Sequence, residues 1–436
     1  MYPPSSPPPS SPLSFLETVK RGCHTVSNHY SIFVRLYVAL LLLRSLEALS
    51  CGYLNIWTFV PGPLSCLVHA IVWSLIGVVY YETIRAQYQD DRDELLTILP
   101  KPEIPIFYRP EYNMKLFGVE RFLHVFDTKK FEKIASLLKK GSGYKGAFTQ
   151  APMITRWALK NFYSVDWLRT QLADPFYIAK ALRVDLLKHV PVCLLDYHIL
   201  RPMRYACGGT VSACFLALHP DLYKPGSSIR KGWAINLGGG FHHASHDRAE
   251  GFCIYSDISL ALLELTRTMP TLKSVLLVDL DAHRGHGVQH DKHQQRFQWN
   301  KQSLQVFMLD VYNTDSFPPE SLETKDIDYV GKVTSHSTDQ DYMSLVSTLL
   351  QTATTQSHKP GLILYISGTD ILKGDPLGGL KMCEQTIIDR DELVFQTAFA
   401  HQIPICMLLG GGFTPNSAEI HAASILNLKT KFRLWT

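Results

Sequence analysis

W-A-I-N-L-G-G-G-F-H-H-A-S-H-D at residues 233–247 and S-V-L-L-V-D-L-D-A-H-R-G-H-G at residues 274–287 decide how this chain is read. The first is a short apolar strand that stops at Gly238–Gly240 and then presents His242 and His243. The second is an aliphatic run ending in Asp279, Asp281 and His283. Side chains that bind metals or move protons thus stand where each apolar run ends. In an open parallel α/β sheet, ligands sit in the crevice at the carboxyl ends of the strands. The stretch reads as half an active site, with the other half due from elsewhere.

Outward from it, strands are predicted at Trp233–Leu237, Ser274–Asp281, Gln305–Asp310, Gly361–Ser367 and Pro404–Leu409. Helical spacing falls between them, at Tyr255–Thr268, Tyr342–Gln356, Glu384–Ala400 and Asn416–Asn427. A short strand at Pro105–Tyr108 and a helix at Phe131–Lys140 precede these. Residues 150–205 read as helix and loop without evident chemistry. Near-continuous apolar strands alternating with helices imply buried parallel pairing and right-handed crossovers. The expected architecture is a three-layer α/β fold with a mainly parallel sheet.

The strand ends carry the chemistry. Asp281 and His283 stand at i and i+2, which on a strand points both side chains the same way. The strand at 361–367 runs into G-T-D and adds Asp370. Two carboxylates and one imidazole leave a coordination position open for water, the catalytic rather than the structural zinc pattern. So oxygen-rich a set also suits Mn or Fe(II). Taken singly, Asp281 could be a loop cap and Asp370 a turn residue. The glycines before His242 and His243 let both imidazoles enter one cavity, where one would act as general base. A carboxylate on the far nitrogen would hold its tautomer, and Asp279 is the obvious candidate. L-L-G-G-G-F at 408–413 is another strand followed by glycines, where Phe413 offers only an apolar edge.

Composition narrows the class. The 436 residues are 46% hydrophobic, enough for a large core, with a formal charge of +4. That balance is too mild for a nucleic-acid surface; Lys129-Lys130 and Lys139-Lys140 read as solvated helix faces. Nine cysteines, with no C-x-x-C pair and several inside apolar runs (Cys193, Cys214, Cys253, Cys406), read as free thiols in a reducing compartment.

The N-terminal part is of another kind. Residues 1–31, Pro/Ser-rich at their start, read as a disordered tail. Residues 32–81 are strongly hydrophobic, with no formal charge from Ala48 to Tyr81. Leu64–Tyr81 has the roughly 18 residues a membrane span needs. Turning at Pro61-Gly62-Pro63, the segment reads as a membrane hairpin, against the alternative of a buried helix packed on the main domain. Lys20, Arg21, Arg35 and Arg44 favour a cytosolic N-terminal side. Residues 82–104 form a charged, then Pro-rich, linker to a catalytic domain at 105–430.

At the strand ends the sequence resembles the zinc-dependent histone deacetylases, class IV in particular. The resemblance rests on G-G-G-F-H-H-A-x-x-D-x-x-x-G-F-C-x-Y-x-D from Gly238, D-L-D-A-H-x-G-x-G from Asp279 and D-V-Y-N from Asp310. G-T-D-I-L-x-G-D-x-L-G-G-L from Gly368 and R-D-E-L-V-F from Arg390 complete it, so that it spans roughly residues 105 to 428. It implies an arginase/deacetylase-type fold and metal-assisted hydrolysis of an acyl-lysine amide on a histone or non-histone protein. By position, Asp281, His283 and Asp370 match the ligands of one zinc ion per chain. His243 matches the general base, and His242 an electrostatic partner held by Asp279. Gly251, Phe252 and Phe317 match the substrate tunnel, and a structural monovalent cation is implied near Asp279. Nuclear or cytoplasmic location follows from the resemblance, and a cytosol-facing hairpin would argue against chromatin as the main site. Long acyl chains are favoured by some class IV relatives, so acyl length stays open.

Two positions depart from the family. Phe413 stands where the family has a tyrosine whose hydroxyl polarises the substrate carbonyl; one such donor is worth about 2.7–4 kcal/mol. His286 stands where the family has Asp or Asn beside the second histidine, whereas Asp375 is kept. The expectation is a slow lysine deacylase, with a non-catalytic acyl-lysine-binding scaffold as the alternative. A small-molecule amide hydrolase is weaker, because no acidic gate for a cationic substrate is evident. For the hairpin, carbonate extraction should leave full-length protein in the membrane pellet; release into the soluble phase would rule out a span.

Overall fold

Alternation along one apolar strand sets the layering. In β3 (Ser274–Asp279), Val275 and Leu277 join one buried hydrophobic cluster while Leu276 and Val278 join a second. Successive strand side chains point to opposite faces, so β3 is covered on both. The same split divides Ile363 and Tyr365 from Leu364 and Ile366 in β8 (Leu362–Ile366). Fully burying each such side chain contributes about 1.5–3 kcal/mol.

The structure is a computed structural model, and it describes residues 103–115, 127–223, 229–318, 325–355 and 359–435. The tail and hydrophobic segment at 1–81, and nearly all of the linker at 82–104, lie outside the described residues. Among the described residues no helix is long and apolar enough to cross a membrane.

The remaining strands are β1 (Ile106–Phe107), β2 (Trp233–Asn236), β4 (Gln298–Trp299), β5 (Gln302–Ser303), β6 (Gln305–Asn313), β7 (Tyr329–Val333) and β9 (Ile405–Leu408). Seven form one sheet in the order β1-β2-β9-β8-β3-β6-β7, every pair parallel. β4 and β5 make a separate antiparallel pair. One face of the sheet carries α2 (Arg201–Leu218) and α3 (Asp257–Thr268). The other carries α1 (Lys130–Ser142), α5 (Asp339–Thr355), α6 (Glu384–Ala400) and α7 (Ser417–Phe432). A further helix, α4 (His286–His293), follows the loop after β3. This is the expected three-layer parallel architecture.

Three differences have physical causes. β3 ends at Asp279, two residues before the predicted end, because the loop beyond turns back onto its own carboxylates. α2 is a long helix, buried along most of its length, that begins within the segment at 150–205 read as helix and loop and runs beyond it to Leu218. Lys130 is not on a solvated face: it is 4% exposed, and its Nζ donates to the Gly410 carbonyl at 2.9 Å. Cys207, Cys214, Cys253 and Cys406 are buried free thiols, as the cysteine spacing implied.

β3 and β8 are neighbours, with Asp279 opposite Ile366. Arg390 of α6, fully buried, ties their exits together: Nη1 donates to the Leu280 carbonyl at 2.9 Å and to the Gly368 carbonyl at 2.8 Å. Asp391 balances its charge, accepting from Arg390 Nε at 2.9 Å. Removing one partner of a buried ion pair strands the other charge. Asp391→Ala should lower unfolding free energy in urea by about 3–5 kcal/mol; a loss below about 1 kcal/mol would contradict this role.

Candidate active site

Past Asp279 the chain is held by side chains instead of a strand ladder. Asp279 Oδ1 accepts the Asp281 backbone N–H at 3.2 Å, and Asp281 Oδ1 accepts the His283 N–H at 3.0 Å. Asp370, arriving from β8, accepts the Ala282 N–H at 2.9 Å. Strand alternation is therefore not what brings Asp281 and His283 together; a loop folded around three carboxylates does so. From the β9 side, the Gly411 N–H donates to Asp281 Oδ2 at 2.6 Å. A Cβ at Gly411 would lie 2.4 Å from Asp370 Oδ2, so only glycine permits the approach.

The three predicted ligands converge. His283 Nδ1 lies 2.8 Å from Asp370 Oδ2 and 3.0 Å from Asp281 Oδ1, and its Nε2 faces the Leu377 carbonyl at 3.2 Å. A carbonyl on one ring nitrogen fixes the tautomer that leaves the other as a ligand atom. All three side chains are buried, with one ligand atom from each lying within 4.8 Å of the others. Burial, then the nearby Asp281 charge, pushes the Asp370 carboxyl up to about 7. For His283, burial opposes charge, but the two carboxylates outweigh it and hold the imidazole well above its usual range. The place calls for positive charge, and this donor set fits a divalent cation.

The two histidines have opposite surroundings. His242 Nδ1 meets Asp279 Oδ2 at 2.7 Å. Burial alone would keep it neutral, yet Asp279 and Asp281 raise it to about 9. His243 is held well below the ordinary imidazole range by burial and by His242, His286 and His283 around it. It is therefore neutral. Asp279 meets His242, as the resemblance implied, and no carboxylate meets His243 directly. His243 Nδ1 faces His286 Nδ1 at 3.2 Å, and His286 Nε2 faces Glu250 Oε2 at 3.2 Å. With His286 Nε2–H donating to Glu250, its Nδ1 accepts from His243 Nδ1–H, and His243 Nε2 is left as the proton acceptor. Glu250 was not foreseen; no spacing rule ties it to position 243.

His242, His243 and the three converging ligands line a cavity of about 180 Å³, walled further by Gly251, Phe252, Phe317 and Phe413. A Cβ at Gly251, where φ is +57°, would come within 2.3 Å of His243 Cδ2. Phe252 has φ +67°, a left-handed conformation that costs a bulky residue on the order of 1–3 kcal/mol. Its ring stands 5.8 Å from Phe413, and Phe317 lies 5.2 Å from the His243 ring. Asp375 Oδ2 accepts the Phe413 N–H at 2.8 Å and so positions that ring's backbone. Arg183, from the segment that seemed to lack chemistry, lies over Phe317 at 4.7 Å. No hydroxyl-bearing side chain lines this cavity among the described residues.

Beside Asp279, Asp310 is fully buried with Oδ1 unpartnered. Burial and the adjacent Asp279 push its carboxyl well up, so the pair leaves room for further positive charge.

Comparison with known proteins agrees with this geometry. A family described as the histone deacetylase domain matches residues 124–428. Histone deacetylase 2 of Arabidopsis thaliana is 33% identical over 331 residues, 76% of this chain and 80% of that protein. Histone deacetylase B of Dictyostelium discoideum is 33% identical over 193 residues, 42% of this chain and 41% of that protein. Among solved structures, the crystal structure of the HDA15 HD domain has a TM-score of 0.52 at 20% identity, covering 75% of this chain and 88% of that one. That last likeness speaks for the fold alone. With its parallel sheet, its strand-end carboxylates and a domain match over most of its length, the chain belongs to the histone deacetylase family.

Proposed function

We propose that this chain is a zinc-dependent lysine deacylase of class IV type that hydrolyses an acyl-lysine amide on a protein. The observation carrying this reading is the meeting of Asp281, His283 and Asp370 with a neutral His243 in one cavity. Zinc held by those three residues would supply Lewis acidity and lower the pKa of water toward neutrality. His243 Nε2 takes the proton from the attacking water and returns it to the leaving lysine amine. Charged His242, backed by Asp279, favours negative charge developing next to it. Glu250, through His286, supplies the carboxylate that position 286 lacks. Phe252 and Phe317 hold the acyl-lysine stem and exclude water. Asp279 and Asp310 would hold the monovalent cation. A cytosol-facing anchor at residues 32–81 would direct the activity to proteins near a membrane, with nuclear and cytoplasmic substrates as the family alternative.

Phe413 favours a second reading, a scaffold that binds acyl-lysine without turnover. Its ring lies 6.4 Å from that of His283, at the position of the family's carbonyl-polarising hydroxyl. The two readings separate on an acyl-peptide series from acetyl to long-chain. The deacylase should release free lysine with every productive acyl length, and binding without release over hours would favour the scaffold. Phe413→Tyr should raise the rate by about a hundred- to a thousand-fold; no change would mean that the missing hydroxyl is not limiting.

Metal removal has a readout independent of activity. Chelation leaves the Asp281 and Asp370 carboxylates facing each other in a buried site. With zinc at about a hundred times its dissociation constant, the melting temperature should stand roughly 5 °C above that of the chelated protein. Equal melting temperatures would count against a zinc site there.

A further inference from the structure

Outside the cavity, a second cluster of ligand-type side chains stands close to the catalytic histidines without joining them. We propose that His246, Asp247 and His290 form a separate binding site for a divalent transition-metal ion of the zinc, nickel or copper kind. One ligand atom from each lies within 4.8 Å of the other two. His290 Nε2 is 3.4 Å and His246 Nε2 3.9 Å from Asp247 Oδ2. Two ligands each about 2.0–2.1 Å from a tetrahedral zinc stand roughly 3.4 Å apart, so small side-chain adjustments would close the triad on an ion.

The atoms behind the ligands are set for this. Asp291 is fully buried, and its Oδ1 accepts both the His246 backbone N–H at 2.9 Å and the ring Nδ1–H at 2.8 Å. That leaves the His246 Nε2 lone pair facing the cluster, the carboxylate–histidine arrangement that orients metal ligands. Ser245 Oγ donates to Asp247 Oδ1 at 2.7 Å, leaving Oδ2 free to bind. His290 Nε2 is shielded from solvent and faces Asp247 Oδ2 at 3.4 Å without a well-aligned hydrogen bond. The two imidazoles stack at 5.4 Å with an interplanar angle of 6°. Their edges stay accessible, with side-chain exposures of 21% for His246 and 32% for His290. Two imidazoles and one carboxylate select borderline transition metals over magnesium or calcium, which take oxygen ligands.

The position gives the site a consequence. His246 follows His243 on the same loop, and His290 lies one helical turn after His286 on α4. An ion here clips that loop to α4 and so supports the His243–His286 contact. None of the three ligands lines the catalytic cavity, so the site loads whether or not Asp281, His283 and Asp370 hold zinc.

The test is zinc content and affinity of the full-length protein, by equilibrium dialysis against zinc chloride with elemental analysis. His290→Ala should lose one equivalent relative to wild type, while Asp370→Asn loses the other. Asp291→Asn should keep the ligands but bind about ten- to a hundred-fold more weakly. Magnesium in excess should not displace the ion. His246→Gln is the second variant, and melting in chelator verifies that each variant folds. A His290→Ala or His246→Gln protein that retains the wild-type zinc content and affinity overturns the proposal. Failure of the zinc reading at the catalytic site would look different, as loss of the Asp370-dependent equivalent alone.

Discussion

The structure depends on keeping two carboxylates, Asp281 and Asp370, close together in a buried place. Like charges at short range without water destabilise one another, and each buried ion must be matched by partners. The chain supplies them from several directions: the Ala282 and Gly411 N–H groups, the His283 imidazole between the two, and His242 beside Asp281. The strands on which they arrive are neighbours, and Arg390 binds the carbonyls at both exits. Positive charge at its centre stabilises this arrangement, and the donor set fits a divalent cation.

The same electrostatics divides labour between adjacent histidines. His242 and His243 have ring centroids 4.1 Å apart, yet one is drawn toward charge and the other away from it. The difference comes from what meets Nδ1: a buried carboxylate for His242 and a second imidazole for His243. Replacing a fixed negative charge by His286 would weaken the base if nothing stood behind it. Glu250 stands behind it, partly exposed and joined through His286 Nε2. In the proposed mechanism the departure at 286 lengthens the support of His243 without removing it, whereas no hydroxyl-bearing side chain among the described residues lines the cavity beside Phe413.

Much of the fold was legible because buried parallel strands are continuous apolar runs. β2, β3, β8 and β9 fall inside their predicted ranges, and α6 coincides with its own. The ends were less legible, since hydrophobicity does not record where side-chain oxygens take over from strand pairing, as they do after Asp279. α2 was hard to delimit because a helix buried on most sides has little amphipathic contrast. Lys130 misled for a related reason. A Lys-Lys pair reads as solvated, but its ammonium is enclosed by carbonyls from the far end of the chain.

What the sequence by itself determined is the layer architecture and the identity of the chemical groups. Period-two burial and strand-end polar residues are local properties that any reader of the chain can count. The resemblance already implied Asp279 with His242 and His286 beside His243; what only the tertiary structure decided is the rest of the pairing: Glu250 behind His286, Asp310 beside Asp279, and Arg390 across both strand exits. Those partners come from different segments, and the sign of each imidazole's shift depends on distance and burial. Neither quantity exists along a one-dimensional chain until the sheet has brought its strand ends together.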